Sequence, residues 1–385
     1  MFLKSLLWTA LVSLGSAQPY LVKGEPIVPD DPTQPCSEAT PLLRLLPGPG
    51  NPRNSEGDLL QLEDGSLLLV WTAFSEGTGG DHDPASLVSM RSNDGGVSWS
   101  QPRTIVSATG GMNVMSVSLR RLADGRIGLF FLRKHSLVDC RPVVRFSRDD
   151  GHSWSDPVEI VPEDDFGYDV LNNDRVLVLE DGALLVPVAR HAGGGMTPDF
   201  SPAGRLRCYR SEDGGRTWSC GAWAPAVPGV VLQEPGLFVG TDGAIRMFAR
   251  TDAGVQYLSR SDDGGRTFQP PRPWTLRSPL SPASIQRLED GRLLAIWNEP
   301  PASVDAKDAP RTPLILACSD DEGESWGERQ SLFQHESGWY CYVSIDQSGD
   351  TLLVSSCAGD RRIGNGLQSL VLFRLPVPPL ETEPR

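Results

Sequence analysis

Carboxylates, guanidinium groups and phenols recur at one kind of place in this 385-residue chain, just upstream of short turns set between apolar arms. Arg53, Glu56 and Asp58 precede Asp64-Gly65, and Asn172, Asn173, Asp174 and Arg175 precede Asp181-Gly182. Glu234 precedes Asp242-Gly243, while Trp339, Tyr340 and Tyr342 precede a weaker turn at Ser348-Gly349-Asp350. A carboxylate can move a proton, a guanidinium can hold an oxyanion, and a phenol can give up a proton or attack. Singly, each is an ordinary solvated strand end; together they would make a site. Other chemistries lack their signatures. No His-Glu-x-x-His, no Cys-x-x-Cys and no Gly-rich phosphate loop occurs, so zinc, iron-sulfur and nucleotide sites have no support. His82, His135, His152, His191 and His335 are scattered along the chain. Neither a metal nor a cofactor is expected.

Such side chains act together only if the fold gathers them. Asp-Gly turns begin at 64, 124, 181, 242 and 290, each between alternating apolar arms, which is a strong short-range signal for a β-hairpin. Out of phase with them runs an octet, Ser-x-Asp-x-Gly-x-(Ser/Thr)-(Trp/Phe), at 92–99, 147–154, 211–218, 261–268 and 319–326. With five of eight positions constrained, one chance match is expected on the order of once per million starting points. The octet reads as a hairpin clasp. Asp bonds the backbone beyond it, Gly takes positive φ, and the aromatic plugs the turn onto the sheet. As a calcium loop it lacks the alternating acidic ligands and closing Glu of an EF-hand. Two hairpins make four strands, and a spacing of about fifty to sixty residues between Asp-Gly turns suits a four-stranded propeller blade. No sustained helical period appears. The expected fold is all-β, a six-bladed β-propeller with five octet hairpins. The sixth unit ends at Pro376, short of a fourth strand, so the segment 41–46 is expected to close the ring and cover its open edge.

Charge and composition narrow the partners. A formal net charge of -14 and the absence of any basic block argue against nucleic acid. Residues 1–17 carry Lys4, an apolar run from Leu6 to Leu14, and the small residues Gly15, Ser16 and Ala17. That layout is a signal peptide, too short to span a membrane, with cleavage expected after Ala17 and a secreted or periplasmic product. Residues 18–38 read as an exposed lead-in, 39–376 as the propeller and 377–385 as a tail. Seven cysteines leave one unpaired at best. Cys208 and Cys220 bracket the third octet and are either a disulfide across one hairpin or two buried thiols.

The octets on a six-unit β pattern resemble the Asp boxes, or BNR repeats, of the exo-alpha-sialidase (neuraminidase) superfamily, over nearly the whole chain after the lead-in. The resemblance implies catalytic and binding positions that can be matched one by one. Arg53 stands where the family has an arginine early in blade one, although Asn54-Ser55-Glu56 follows it where the family has Ile-Pro. Arg175 and Arg141 are spare candidates for that arginine. Asp81, in Gly79-Gly80-Asp81-His82-Asp83, resembles the loop that carries the general acid. Glu234, in Gln233-Glu234-Pro235, lies nine residues before Gly243, as the family's Asn-Glu motif does. Arg250 and Arg311 match the second and third arginines. Counting back from Gly349 gives Tyr340 as the nucleophile, whereas aligning Tyr342-Val343-Ser344-Ile345 with Pro282-Ala283-Ser284-Ile285 gives Tyr342, the preferred choice.

The resemblance implies release of terminal sialic acid, with a sialylated glycan or another acidic sugar as partner. Sialic acids bear a carboxylate on the carbon under attack, and three guanidinium groups can hold it. That carboxylate would repel an anionic nucleophile, so a Tyr hydroxyl deprotonated by Glu234 as it attacks suits the task. Asp81 would protonate the departing oxygen and then activate water, retaining configuration. Two other readings stand beside this one. Another exo-glycoside hydrolase, such as an exo-arabinanase, would need no arginine cluster. A non-catalytic glycan-binding propeller would need only the scaffold, since the boxes merely staple hairpins.

Overall fold

The structure is a computed structural model that describes residues 30–36, 38–108, 111–364 and 366–380. The expected signal peptide and its cleavage site lie outside the described residues. Alternating apolar arms and tight Asp-Gly turns yield an all-β fold whose helical content, among the described residues, is two single 3-10 turns. In chain order the strands are β1 (Thr40–Leu45), β2 (Arg53–Gln61), β3 (Leu67–Phe74), β4 (Ala85–Ser92), β5 (Arg103–Val106), β6 (Asn113–Arg121), β7 (Ile127–Ser136), β8 (Asp139–Ser147) and β9 (Val158–Glu159). They continue with β10 (Tyr168–Val170), β11 (Leu177–Val178), β12 (Leu184–His191), β13 (Arg205–Ser211), β14 (Ser219–Cys220), β15 (Leu232–Val239), β16 (Ile245–Thr251), β17 (Val255–Ser261) and β18 (Arg272–Arg277). The last are β19 (Ser284–Arg287), β20 (Leu293–Asn298), β21 (Leu314–Ser319), β22 (Gln330–Phe333), β23 (Gly338–Ser348), β24 (Thr351–Asp360) and β25 (Leu370–Pro376).

Hydrogen bonding groups them into antiparallel four-stranded sheets, β2 to β5, β15 to β18, β19 to β22, and β23-β24-β25-β1. A nine-stranded sheet holds two further runs, β6 to β9 and β11 to β14. The short β10 joins them, antiparallel to β12 and parallel to β8 at Tyr168 and Cys140, a splice that the turn pattern did not announce. The amino-terminal strand does complete the last sheet, with Thr40 opposite Arg374 and Leu45 opposite Leu370. Apolar clusters lie between consecutive runs. One joins Phe130 and Val144 to Leu184 and Val186, and another joins Leu294 and Leu316 to Val354 and Phe373. The first strands lie side by side, β2 against both β6 and β23, β15 against β19, and β19 against β23, so the last sheet meets the first.

Each octet works as a clasp. In the fourth, Ser261 Oγ donates to Asp263 Oδ1 at 2.8 Å and accepts from the Gly265 amide at 2.8 Å. Asp263 also receives the Thr267 amide at 2.9 Å and the Thr267 hydroxyl at 2.6 Å. The Gly at the fifth position of the octet sits at positive φ against the preceding sheet, so a side chain at Gly265 would crowd Leu185, and one at Gly323 would strike Trp274.

Between the sheets, buried carboxylates tie first strands together. Asp58 accepts the Leu119 amide at 2.7 Å, Asp174 the Ile345 amide at 2.9 Å, and Asp346 the Gln61 amide at 2.8 Å. Arg120 bridges Asp58 and Asp174 beside a cavity of about 330 Å³.

Two sequence expectations need correction. Of the alternatives for Cys208 and Cys220, free thiols hold and the disulfide does not, but only one of the two is buried. Cys220 pairs with Tyr209, so alternation along β13 sends Cys208 to the opposite face, where it is buried while Cys220 is exposed. The lead-in is not wholly exposed where it is described, Pro32 and Thr33 being buried. Cys36 donates its amide to Leu332, Asp31 pairs with Arg44 at 2.5 Å, and the Pro32 carbonyl accepts the Tyr340 hydroxyl at 2.8 Å.

Candidate active site

One backbone device recurs in the first strands. The register of β2, β6, β15 and β23 slips at Ser55/Asp58, Met115/Ser118, Gln233/Gly236 and Cys341/Ser344. At these bulges Glu56, Ser116, Glu234 and Tyr342 take positive φ, 49°, 60°, 49° and 54°, and Asp174 takes 56° just before β11. Such a conformation costs a non-glycine residue roughly 1–2 kcal/mol and persists only where surrounding bonds enforce it. A bulge re-aims its side chain. Here the re-aimed side chains are the ones that meet.

Tyr342 donates its hydroxyl to Glu234 Oε1 at 3.0 Å, and Arg250 Nη1 holds Glu234 Oε2 at 2.6 Å. The Arg311 guanidinium lies 5.8 Å from the Tyr342 ring centroid and 5.1 Å from that of Trp339. Its backbone is pinned by the Tyr340 amide at 3.0 Å. Burial would raise Glu234, but the charges of Arg250 and Arg311 and the Tyr342 hydrogen bond outweigh it, so the carboxyl is depressed and ionised. Burial, with Glu234 adding to it, lifts the Tyr342 phenol well above its ordinary value. A neutral phenol thus faces a charged carboxylate, the ground state from which a proton can pass to Glu234. Arg250 and Arg311 each keep a buried Nε without a partner.

Arg53 is placed differently. Only 1% exposed, it stacks on Phe74 and has four of its five N–H groups engaged. Nε binds Ser55 Oγ at 2.7 Å, Nη1 binds the Gly79 carbonyl at 3.1 Å and Asp81 at 2.6 Å, and Nη2 binds Glu56 at 2.8 Å. Asp81 sits on its loop with a side chain 59% exposed, and the loop is held from below by Asn113, which donates to the carbonyls of Asp81 and Asp83, and by Lys134. Desolvation would raise the Asp81 carboxyl, but the charge and hydrogen bond of Arg53, with Lys134 and His82 behind, hold it at about 2. Glu56 responds oppositely. Burial, reinforced by Asp81 and Glu234, overcomes Arg53 and the Ser116 hydrogen bond and pushes it up to about 7.

The structure therefore brings Tyr342, Glu234, Arg250 and Arg311 into one cluster and sets Arg53 with Asp81 and Glu56 beside it. The link runs through Cys341 and Cys357, which pair across β23 and β24, Cys357 accepting the Glu56 amide at 3.4 Å. Tyr340 does not join. It is fully buried, stacks on Phe333 at 4.8 Å, and spends its hydroxyl on Pro32. Neither spare arginine bonds within it, although Arg175 is near enough for its charge to act on Glu234 and Tyr342. Arg175 braces Ala283 and Ser284, and Arg141 grips Asp139 beneath Phe166. Gly323-Glu324-Ser325-Trp326-Gly327 has the spacing of a serine-hydrolase elbow, but it lies in the fifth octet, where Ser325 donates to Asp321.

Sequence reasoning did not single out Ser116, and it named Glu56 and Asn173 without a role. A signal was present: Glu56, Ser116 and Asn173 each lie nine residues before the glycine of their Asp-Gly turn, as Glu234 does. Asn173, fully buried, reaches across to donate to the carbonyls of Gly57 and Tyr342, both at 3.0 Å.

Residues 65–354 match the family described as BNR repeat-like domain, and the chain belongs to that family. Its fold is sialidase-like. A protein of unknown function from Dyadobacter fermentans DSM 18053 superposes with a TM-score of 0.69 at 18% identity, covering 89% of this chain and 100% of that one. The Hadza microbial sialidase Hz136 gives 0.67 at 18% identity, over 84% of this chain and 66% of its own. The intramolecular trans-sialidase from Ruminococcus gnavus, solved with oseltamivir carboxylate, gives 0.64 at 15% identity, over 86% and 96%. No curated protein matches the chain. No helix among the described residues is long and apolar enough to cross a membrane.

Proposed function

We propose that the protein is an exported retaining exo-glycosidase that releases terminal sialic acid from glycoconjugates, built as a six-bladed β-propeller. The observation that carries this reading is the chain Tyr342 to Glu234 to Arg250, at 3.0 and 2.6 Å, with Arg311 against the same phenol. A tyrosine paired with a buried carboxylate and flanked by guanidinium groups suits attack on an anomeric carbon that bears its own carboxylate. In this scheme Arg250, Arg311 and Arg53 hold that carboxylate. Glu234 takes the phenol proton as Tyr342 oxygen bonds to the anomeric carbon, and the glycosidic oxygen leaves with a proton from Asp81. Asp81 then deprotonates the water that releases the sugar, so two inversions give net retention. To act first as an acid Asp81 must leave Arg53, and a substrate carboxylate arriving on Arg53 supplies the reason.

The engagement of Arg53 by two carboxylates favours one second reading, an exo-glycosidase for a sugar without that carboxylate. A fluorogenic sialoside assay on the purified protein, with arabinosides in parallel, tests both. Sialoside turnover that disappears in Glu234→Gln supports the first reading; turnover of the neutral sugar alone supports the second.

A further inference from the structure

Arg53 poses a problem for any carboxylate that must reach it. Asp81 can swing aside, because its loop side chain already meets solvent. Glu56 has no such exit. It is 3% exposed, held on a bulge, with Oε1 on Arg53 and Oε2 accepting the Ser116 hydroxyl at 3.0 Å. The groups that face it are Arg53 on its own strand, Ser116 from β6, Asp81 from the loop, Glu234 from β15, and the thiols Cys341 and Cys357 from β23 and β24. An arriving carboxylate that takes Arg53 Nη2 would strip Glu56 of the one guanidinium it touches, since Arg250 is held on Glu234, Lys134 on the Asp81 loop and Arg175 on Ala283. A buried carboxylate that loses the guanidinium it touches has to be neutralised, and Glu56, 3% exposed, has no route to water.

We propose that Glu56 takes up a proton when the carboxylate of an acidic sugar binds Arg53, so that this site admits substrate and proton together. One solvent proton goes to Glu56 Oε1, the oxygen released from Arg53 Nη2, and no covalent bond of the sugar changes. The carboxyl then donates to the incoming carboxylate while Oε2 keeps its bond from Ser116. Glu56 is thereby a specificity residue: it lets an anionic sugar displace it only at a proton cost, and it sets the upper pH limit for that exchange. Its upward displacement by burial, to about 7, agrees with a carboxyl poised for this. The proposal rests on the sialidase reading.

The test is calorimetric binding of free N-acetylneuraminic acid in two buffers of different ionisation enthalpy, at pH 5 and pH 8. Wild-type protein is expected to take up about one proton more than Glu56→Gln at pH 8, and the two are expected to agree at pH 5. Wild-type affinity is expected to fall up to about tenfold per pH unit above pH 7, with Glu56→Gln flat over that range and Asp81→Asn retaining the fall. Binding by the wild type at pH 8 without proton uptake overturns the proposal alone, and needs no variant. Equal uptake by wild type and Glu56→Gln overturns it too. Absence of binding by wild type at both pH values removes the sialidase reading and this proposal with it.

Discussion

Tyr342→Phe deletes one oxygen, and the structure says what that oxygen is worth. Folded, it contributes a hydrogen bond to a charged acceptor, about 1.5–3 kcal/mol in general. The acceptor is not orphaned by the change, because Arg250 still holds Glu234 at 2.6 Å, so the cost should sit at the low end and the variant should melt only a few degrees lower. Turnover should respond on another scale. With the attacking atom gone, the sialoside rate is expected to drop at least 1,000-fold, about 4 kcal/mol in the barrier, while binding of free sialic acid changes little. Tyr340→Phe is the matched control. It loses a bond of similar length, to Pro32, outside the cluster, so it should cost stability and leave turnover within about twofold. The assay is single-turnover release of a fluorogenic aglycone from proteins shown to be folded by melting. A Tyr342→Phe protein that keeps more than a tenth of wild-type turnover would refute the nucleophile assignment, and the same variant failing to bind sialic acid would show a structural role instead.

Asn173→Ala frees two buried carbonyls at the bulges that aim Glu56 and Tyr342, and should cost about 2–5 kcal/mol in urea unfolding, with kcat falling more than sialic acid affinity. Asp213→Ala unclasps the third octet and should lower Tm by a few degrees with turnover per folded molecule unchanged. Desolvation raises Asp213, but the Thr217 and Ser211 hydrogen bonds prevail and hold it at about 2. Its contribution is therefore complete above about pH 4 and lost as pH falls toward 2. Glu56 and Asp346 behave in the opposite sense. Burial lifts them to about 7 and about 6, above their unfolded values, so the folded state holds more protons than the unfolded chain in between. Stability should fall as pH rises from about 4 to 7, and Glu56→Gln should flatten the part of that fall above pH 6. Urea midpoints at pH 5, 6, 7 and 8 measure both.

What the sequence made legible was what is local. An octet carries its own hydrogen bonds within eight residues, Ser211 to Trp218 for instance, and an Asp-Gly turn declares itself through the positive φ of its glycine, as at Gly65 and Gly243. The strand β10 was not legible, because three residues between longer strands carry no period of their own, and their pairing with Cys140 and His191 is decided by distant neighbours. The lead-in escaped for the same reason. Proline-rich and unpatterned, its described residues are held by what they offer others, a carbonyl for Tyr340 and a carboxylate for Arg44.

The site turns on a subtler point, the parity of a strand. Alternation alone would put Tyr340 and Tyr342 on one face and Arg53 and Glu56 on opposite faces. The structure has the reverse in both places, since Tyr340 packs outward on Phe333 while Tyr342 meets Glu234, and Arg53 grips Glu56. One extra residue in each bulge inverts the count, and the inversion falls where φ turns positive, at Tyr342 and at Glu56. The same inserted residue that turns Tyr342 onto Glu234 in one strand thus turns, in another, Glu56 onto Arg53. A reader of strands who assumes period two will misplace both. A reader who counts nine back from the turn glycine recovers Glu56, Ser116 and Glu234, but still lands on Tyr340, because only the register of β24 against β23 shows that this bulge lies two residues later.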